Sequence, residues 1–452
     1  MLGLVSLAAV MRLAIRCSNG RGYRLGQRLR AMLPGMSAPT LPTAVEDYAA
    51  RVAFVVELAE HLHAYGTTAQ RLEGAVVAVA DELGLECEPM VHPTGMVLSF
   101  SDPKRPVGLS DITRVIRAHQ GDTDLSKLTE ADRIAAEVGS GRLGIADGHA
   151  ALRALERPPT TRAKLLGILV FGLAAASIAT MWRLPWLDIA TAGVAGLLIG
   201  LLDYASRGFP QMREAGDALA GMIAAAVATL VAAFVAPLNL NTVIISALIV
   251  LVPGMSLTNA VNELASQHLV AGTSRFAGAM ATLMKLTVGG AVALGIANFA
   301  GIEPQVRALR PQPGAVEWVG VLAAACSFAL LFRTRLRDYP VVILAAVAGY
   351  SITRFGGQAW GGPAGIFLSA LLLTAGGNVY ARLAGRPGAL VRVPGILMMV
   401  PGSASLRGVM TLIQQQDAAV GESAALGVLN ILLALIAGLL FGNLLLPPRR
   451  NL

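Results

Sequence analysis

Ten apolar runs divide the last two-thirds of the sequence, and they limit the possible folds more than any other feature. They cover residues 163–181, 186–203, 216–236, 238–252, 277–300, 315–332, 339–353, 361–381, 392–404 and 424–446. A straight membrane helix needs about 20 apolar residues, and several runs are shorter than that, the weakest being 392–404. With 55% hydrophobic and 14% charged residues, the composition is that of a polytopic membrane protein. We therefore predict a mainly α-helical protein with ten membrane spans.

Two stretches of this membrane part resemble each other at a spacing of about 149 residues. Residues 251–278 read LVPGMSLTNAVNELASQHLVAGTSRFAG, and residues 400–429 read VPGSASLRGVMTLIQQQDAAVGESAALGVL. Both contain Pro-Gly, then Ser-Leu, then Gly-x-Ser and a further glycine. Because proline lacks the backbone N–H and glycine frees the backbone, each Pro-Gly is expected to break a helix. Broken segments at corresponding places in two halves are the usual indication of a transporter binding site.

The charges of the loops predict the orientation of the chain. If the N-terminal part lies in the cytoplasm, thirteen lysines and arginines of the membrane part face inward and five face outward, as the positive-inside rule requires. Both termini are then cytoplasmic. Each half has five spans, which is an odd number, so the two halves must have opposite orientations. We predict two inverted five-helix repeats, residues 158–304 and residues 305–452.

The region before the repeats is predicted to be a basic, poorly ordered leader and linker, residues 1–42, followed by a small α+β cytoplasmic domain, residues 43–157. The predicted elements are helices ending at Gly66 and Leu83, strands over 85–91 and 95–101 in a hairpin, and short helices near 110–119, 129–138 and 145–156. His61 and His63 point to different faces of the first helix, so we predict no metal site. The three cysteines are far apart in the sequence and indicate no disulfide framework.

Three motifs resemble the threonine/serine exporter family. They are P-G-x-x-L-T-N-A-x-N-E-L at Pro253–Leu264, G-T-S-R at Gly272–Arg275, and L-A-x-x-L-H-x-Y-G-T-T-x-x-R-L-E at Leu58–Glu73. The resemblance covers about residues 43–446 and implies a cytoplasmic domain joined to ten spans in a bacterial cytoplasmic (inner) membrane. It also implies export of threonine and serine driven by the proton motive force. We predict no cofactor. Related two-subunit members are associated with dicarboxylate export, so the family alone does not fix the substrate.

The two Pro-Gly motifs are predicted to form the substrate pathway, because hydroxyl and amide groups can bind the ammonium, carboxylate and hydroxyl of an amino acid. The residues of the first copy are Pro253, Gly254, Ser256, Thr258, Asn259, Thr273 and Ser274, and those of the second are Pro401, Gly402, Ser403, Ser405 and Arg407. The alternative is helix capping and turn bonding, which serine and threonine do in all proteins.

A proton-coupled exporter also needs a titratable group in the pathway. An amino acid is a zwitterion, and moving it across the membrane moves no net charge, so the voltage alone cannot drive it. The predicted proton relay or charge pair consists of Glu263, His268, Asp203 and Lys285, with Glu263 the first choice. Lys285 lies inside an apolar run and is expected to pair with Glu263 or Asp203, because a lone charge there is costly. The alternatives are a solvent-facing loop glutamate, a hydrogen-bonded loop histidine and an interfacial aspartate.

Two rival functions stay open at this point. The first is export of a dicarboxylate, which the inside-negative potential would expel and which should require arginines at the site. The second is a membrane-embedded enzyme, but no Ser-His-Asp, H-E-x-x-H or paired-carboxylate signature supports it, and we predict that the protein is not an enzyme. The expected partners are a small substrate, protons and the lipid bilayer, and a homo-oligomer is compatible with the sequence. Loop arginines explain the net charge of +8 without a nucleic acid.

Overall fold

The computed structural model describes residues 43–105, 111–156, 160–308, 310–399, 402–415 and 418–447. The predicted leader and the C-terminal end lie outside these ranges, and so does Pro401 of the second motif. Residues 50–452 form one compact unit, and the chain before Ala50 belongs to another. The predicted divisions after residues 157 and 304 therefore stay predictions.

Along the chain, the N-terminal part has two helices, then the three strands of an antiparallel sheet, then two more helices. Its elements are α1 (Thr43–Ala64), α2 (Ala69–Glu82), β1 (Glu86–His92), β2 (Gly95–Ser101), β3 (Ile112–Ile116), α3 (Leu125–Gly139) and α4 (Ile145–Ala154). Gly66 and Gly84 have φ of +82° and +70°, as expected of glycines that follow a helix end. We call residues 50–156 the α+β region.

The predicted short helix near residues 110–119 is wrong. Ile112–Ile116 forms strand β3, which pairs antiparallel with β2 and sets Met96 opposite Ile116. Three of its five residues are isoleucine or valine and a fourth is threonine, and such β-branched side chains favour strands. The segment forms a strand and not a helix because the free edge of β2 offers it backbone hydrogen bonds. The local spacing of apolar residues carries no information about such an edge. The predicted hairpin and the two helices that follow are confirmed.

The remaining α-helices of the described residues fall into two series of six, and a short 3-10 helix, Leu336–Asp338, precedes the second helix of the second series. The first series is α5 (Thr161–Met181), α6 (Trp186–Ser206), α7 (Pro210–Phe234), α8 (Leu240–Ala247), α9 (Gly254–Ala265) and α10 (Leu269–Phe299). The second is α11 (Gly314–Leu331), α12 (Tyr339–Trp360), α13 (Gly362–Ala384), α14 (Ala389–Leu397), α15 (Gly402–Gln415) and α16 (Ala418–Leu445). The chain is thus a mainly α-helical polytopic membrane protein.

Eight helices in the described part of the chain are long and apolar enough to cross a membrane, not ten. The predicted spans over 238–252 and 392–404 are instead the short helices α8 and α14, each followed by a second helix after a break. Pro253 precedes α9 and cannot donate the N–H that would continue α8. The fourth element of each half is therefore a pair of short helices and not a straight span.

The two halves repeat one packing pattern. In each half the first three long helices pack in sequence, the third packs on the last, and the second short helix packs on the last. The first short helix packs on the second and third long helices. Helices α8 and α14 begin 149 residues apart, at Leu240 and Ala389, which matches the spacing of the motifs.

The halves run in opposite directions. Helices α5 and α11 pack against each other. The end of α5 meets the start of α11, because the amide of Gln312 donates to the carbonyl of Arg183 (2.8 Å). At the other end of α11, the carbonyl of Phe332 accepts from the amide of Leu125 in the α+β region (3.0 Å). The repeat is therefore inverted. We call the end of the bundle that touches the α+β region the near side, and the opposite end the far side.

Small residues allow the long helices to approach closely. A Cβ added at Gly289 of α10 would lie 1.9 Å from the carbonyl oxygen of Ala218 in α7, and one at Gly221 would lie 2.1 Å from that of Leu286. Such contacts replace the hydrophobic driving force, which is missing between helices in lipid. This packing holds α10 in place, and with it the segment Gly272–Arg275, which belongs to the first motif.

Candidate functional site

The two helix breaks meet inside the bundle. A Cβ added at Gly402, at the start of α15, would lie 2.9 Å from Cγ1 of Val252 and 3.2 Å from Cα of Gly254. A side chain at position 402 would therefore require one of these two neighbours to shift. The chain around Gly402 therefore packs directly on Val252 and Gly254, so the two helix breaks touch each other across the boundary between the inverted halves.

From this contact the two copies of the motif extend to opposite sides. Helix α9 reaches the near side, where Glu263 contacts the α+β region. Helix α15 reaches the far side, where the guanidinium of Arg407 lies 5.9 Å from the ring centre of Trp182 at the end of α5. Ser405, in the first turn of α15, is buried. The arrangement agrees with the predicted opposite placement of the two copies.

Glu263 is neither a solvent-facing loop residue nor an isolated acid. Its side chain is fully buried, with 0% of its surface exposed. Its two oxygens accept from Nε and Nη2 of Arg275 at 2.8 and 2.9 Å, and Oε1 also accepts from the backbone amide of Ala69 at 3.0 Å. Arg275 in turn donates to the side chain of Gln120. We call these four residues the clasp, because they join α9 and α10 to the α+β region.

His268 adds a second polar contact between the same two parts of the molecule. Its Nε2 lies 2.8 Å from Oε2 of Glu73 on α2, and its Nδ1 lies 2.9 Å from the carbonyl oxygen of Ser266. Glu73 also accepts from the amide of Val91 at 2.8 Å through its other oxygen. His268 is therefore placed at the boundary between the α+β region and the bundle, beside the clasp.

The two remaining relay candidates lie elsewhere. Asp203 pairs with Arg207 one turn further along α6 (2.6 Å), and both side chains are exposed, as the interfacial alternative predicts. Lys285 pairs with Asp217 (2.6 Å), so the expected pairing with Glu263 or Asp203 is wrong. Asp217 is the partner because α7 and α10 pack along each other.

A cavity of about 220 Å³ lies on the near side, between the α+β region and the bundle. The turn between α1 and α2 covers it, α9 forms one wall, and α13, α14 and α16 of the second half form the other. Thr258 and Asn259 of the predicted pathway line it, next to Met255 at the start of α9. The cavity thus lies at the boundary between the inverted halves and begins beside the helix break.

Two arginines line this cavity and have no acidic partner among the described residues. They are Arg71 of α2 and Arg392 of α14. Arg392 is only 5% exposed, and Gly377 and Gly388 leave room for it: a Cβ at Gly377 would lie 3.0 Å from its Cγ. Among the residues that the structure describes, neither guanidinium has a carboxylate within 4.0 Å, and none of the lining residues is Asp or Glu. Burial lowers the pKa of Arg71 to about 10, so it stays charged at neutral pH.

Sequence reasoning does not find this pair. In the sequence, Arg71 stands out only as part of a motif, and Arg392 only as a charged residue at the start of an apolar run. The signal that could have indicated Arg392 is a charged residue at the start of the weakest apolar run, followed by Pro394. Nothing in the sequence places residues 71 and 392 at one cavity, because that placement depends on how the α+β region packs on the bundle.

The other predicted pathway residues differ in their placement. Thr258 is 1% exposed, and its hydroxyl has no hydrogen-bond partner within the described ranges. Thr273 and Ser274, by contrast, are exposed on α10, and the Thr273 hydroxyl donates to the carbonyl of Leu269 (2.7 Å), as the helix-bonding alternative predicts. Ser256 is half-buried, and the side chain of Ser403 lies outside the described residues. The structure thus brings Thr258 and Asn259 to the cavity, but not Thr273 or Ser274.

Comparison with known proteins agrees with this architecture. A family model described as "Putative threonine/serine exporter" matches residues 53–297, and one described as "Threonine/Serine exporter" matches residues 317–445. An "Uncharacterized protein" of Schizosaccharomyces pombe is 24% identical over 80% of this chain and 49% of its own length. "Pheromone-regulated membrane protein 10" of Pichia sorbitophila is 23% identical over 82% of this chain and 38% of its own length. The protein of that name from Eremothecium gossypii is 23% identical over 84% and 52%.

The chain therefore spans about half or less of the length of these fungal relatives. No solved structure matches it. The two family matches together cover the α+β region, both helix breaks and nearly all of the membrane part. The chain belongs to the threonine/serine exporter family.

Proposed function

We propose that the protein exports threonine and serine from the cytoplasm by alternating access of its two inverted halves, driven by the proton motive force. The observation that carries this proposal is the meeting of Gly254 and Gly402, beside which a cavity lined partly by polar side chains opens on the near side. In transporters built from inverted repeats, substrates bind where broken helices of the two halves meet. Rocking of one half against the other would close the near side and open the far side.

The near side is assigned to the cytoplasm. The distribution of lysine and arginine over the loops supports this orientation, and it places both termini inside. An exporter loads its substrate on that side, which is where the cavity lies. The bacterial cytoplasmic membrane stays a prediction from the motif resemblance, since the relatives named above are fungal.

Glu263 is the group that we assign to proton coupling. One proton moving inward per substrate supplies about 2.3 kcal/mol per 100 mV, on the order of a fifty-fold gradient of a zwitterion. Protonation of Glu263 would remove the charge that Arg275 and the Ala69 amide bind. Taking up a proton would therefore open the clasp, which couples the proton to the contact between the α+β region and α9.

Efflux from liposomes that contain the purified protein tests the proposal. Liposomes loaded with labelled threonine or serine receive a proton gradient directed opposite to the substrate flux, with or without a protonophore. The gradient should accelerate efflux, and the protonophore should abolish the acceleration. Glu263→Gln should lose the response to the gradient, whereas Asp203→Asn, which changes an exposed pair, should keep it. An efflux rate that is the same with and without the protonophore would count against proton coupling.

A second candidate is export of a small dicarboxylate. It is favoured by two lining arginines that have no carboxylate within 4.0 Å among the described residues, and by the lack of Asp and Glu among the described residues that line the cavity. A dianion would neutralise both arginines, and the inside-negative potential would expel it without a proton. Labelled succinate in the same liposomes decides between the two: succinate efflux without threonine or serine efflux would favour this candidate.

A further inference from the structure

We propose that Arg71 of the α+β region and Arg392 of the bundle together bind the carboxylate of the exported substrate, so that the α+β region forms half of the binding site. This inference rests on the proposed function and assigns the residues that recognise the substrate. It also gives the α+β region a direct role in transport, which the membrane helices alone would not require.

The charge of the site indicates an anionic ligand. Bringing two like charges to one cavity is unfavourable, and an unpaired buried charge costs several kcal/mol unless an anion balances it. Nε of Arg392 is buried without a hydrogen-bond partner in the part of the chain described by the structure. The planar guanidinium forms paired hydrogen bonds with a carboxylate, and two of them can hold one carboxylate from two sides.

The rest of the cavity suits a small polar molecule. The hydroxyls of Thr258 and Thr374 are buried and lack a partner within the described ranges, and both residues line the cavity. Hydroxyls both donate and accept, so they can bind an ammonium or hydroxyl group of the substrate. A volume of about 220 Å³ is below the roughly 300–1,000 Å³ that drug-sized ligands occupy. The size fits an amino acid or a short dicarboxylate better than a nucleotide.

The clasp positions one of the two arginines. Arg71 lies two residues after Ala69, whose amide is bound by Glu263. Opening the clasp would therefore free the first turn of α2 and carry Arg71 away from Arg392. Because the two arginines repel each other, an empty site favours separation and a bound carboxylate favours docking. Binding and docking must strengthen each other by the same factor.

Binding to the purified full-length protein in detergent tests the assignment. Labelled serine and threonine are the probes, and ethanolamine, which is serine without its carboxylate, is the comparison. Wild type should prefer serine to ethanolamine. Arg71→Gln and Arg392→Gln should each weaken serine binding by about 10- to 100-fold, the range for a hydrogen bond between charged groups, and should reduce the preference. Arg114→Gln removes an exposed arginine of β3 and should change neither.

Two further measurements separate a binding role from a structural one. Without ligand, Arg392→Gln should melt at the same temperature as wild type or higher, because it removes an uncompensated charge; a structural arginine would give a lower melting temperature. Serine should also slow hydrogen exchange at the start of α2 in wild type, and this effect should be lost in Arg392→Gln.

The outcomes distinguish this inference from the proposed function. Serine or threonine efflux by wild type, with unchanged serine binding in both glutamine variants, would overturn the inference and leave the exporter intact. Neither binding nor efflux of serine, threonine or succinate by wild type would overturn both. Binding of inorganic phosphate that depends on both arginines, without carboxylate binding, would show a phosphate or lipid headgroup site and would also overturn the inference.

Discussion

Replacing Arg275 with methionine should loosen the contact between the α+β region and the bundle by about 3–5 kcal/mol. This is the cost of breaking a buried ion pair by removing one partner. Glu263 is fully buried, and the Arg275 side chain is only 10% exposed, so water can replace little of what is lost. The substitution leaves the Glu263 carboxylate with the Ala69 amide as its remaining donor among the contacts described above.

Hydrogen exchange of the full-length protein in detergent measures this effect where it arises. A loss of about 3 kcal/mol in the opening free energy corresponds to exchange faster by about 100-fold or more in a fragment that contains Ala69. Glu263→Leu combined with Arg275→Met should recover part of the loss, because an apolar pair leaves no buried charge.

The exposed pair of Asp203 and Arg207 supplies the control. It lies at i, i+4 on α6, and such pairs contribute about 0.3–0.5 kcal/mol. Arg207→Met should therefore leave exchange at Ala69 unchanged. If Arg275→Met changes that exchange by less than about threefold, Glu263 does not hold the α+β region in place, and the reasoning about the clasp is refuted.

Three further predictions concern stability, each measured by thermal unfolding in detergent. Gly289→Ala should lower the melting temperature, because its Cβ would meet a backbone carbonyl of α7 at 1.9 Å, whereas Gly295→Ala has open space and should not; equal melting of the two would contradict the packing. Asp188→Asn should destabilise by about 1.5–3 kcal/mol, because the fully buried carboxylate binds Arg307 at 2.8 Å; an unchanged melting temperature would speak against that ion pair. Burial lowers the pKa of His63 below 6.5, so at low pH the unfolded chain binds a proton that the folded chain does not, and the melting temperature should fall as pH drops below about 6.5. His63→Gln should make the melting temperature depend less on pH, and an equal pH dependence in the variant would refute this role of His63.

The helix breaks can be predicted from the sequence because their cause is local. Proline removes a hydrogen-bond donor wherever it stands, so the presence of Pro253 is enough to predict a break at that position. The number of spans is predicted less well than the helix breaks, because a hydropathy pattern shows where an apolar run begins and ends but not whether one helix extends over all of it. The run 238–252 is apolar throughout most of its length, yet it contains only the eight-residue helix α8 and the turn after it.

Contacts between distant parts of the chain cannot be predicted in this way. Strand β3 depends on an edge offered by β2, and Lys285 depends on which face of α7 meets α10. The placement of Arg71 and Arg392 at one cavity is the extreme case, because the two residues belong to different parts of the fold and each looks ordinary in the sequence. Glu263 stands out through its position within a motif, but its partners follow only from the packing of α9, α10 and the α+β region.

Solute counterflow tests the central claim, alternating access by the inverted halves, most directly. Liposomes containing the purified protein are loaded with excess unlabelled serine and diluted into a trace of labelled serine. A carrier that exposes one site to each side in turn predicts transient accumulation of label above its equilibrium level. Label that only equilibrates would indicate a channel, and label that never enters would leave no transport of serine; either result would contradict the account.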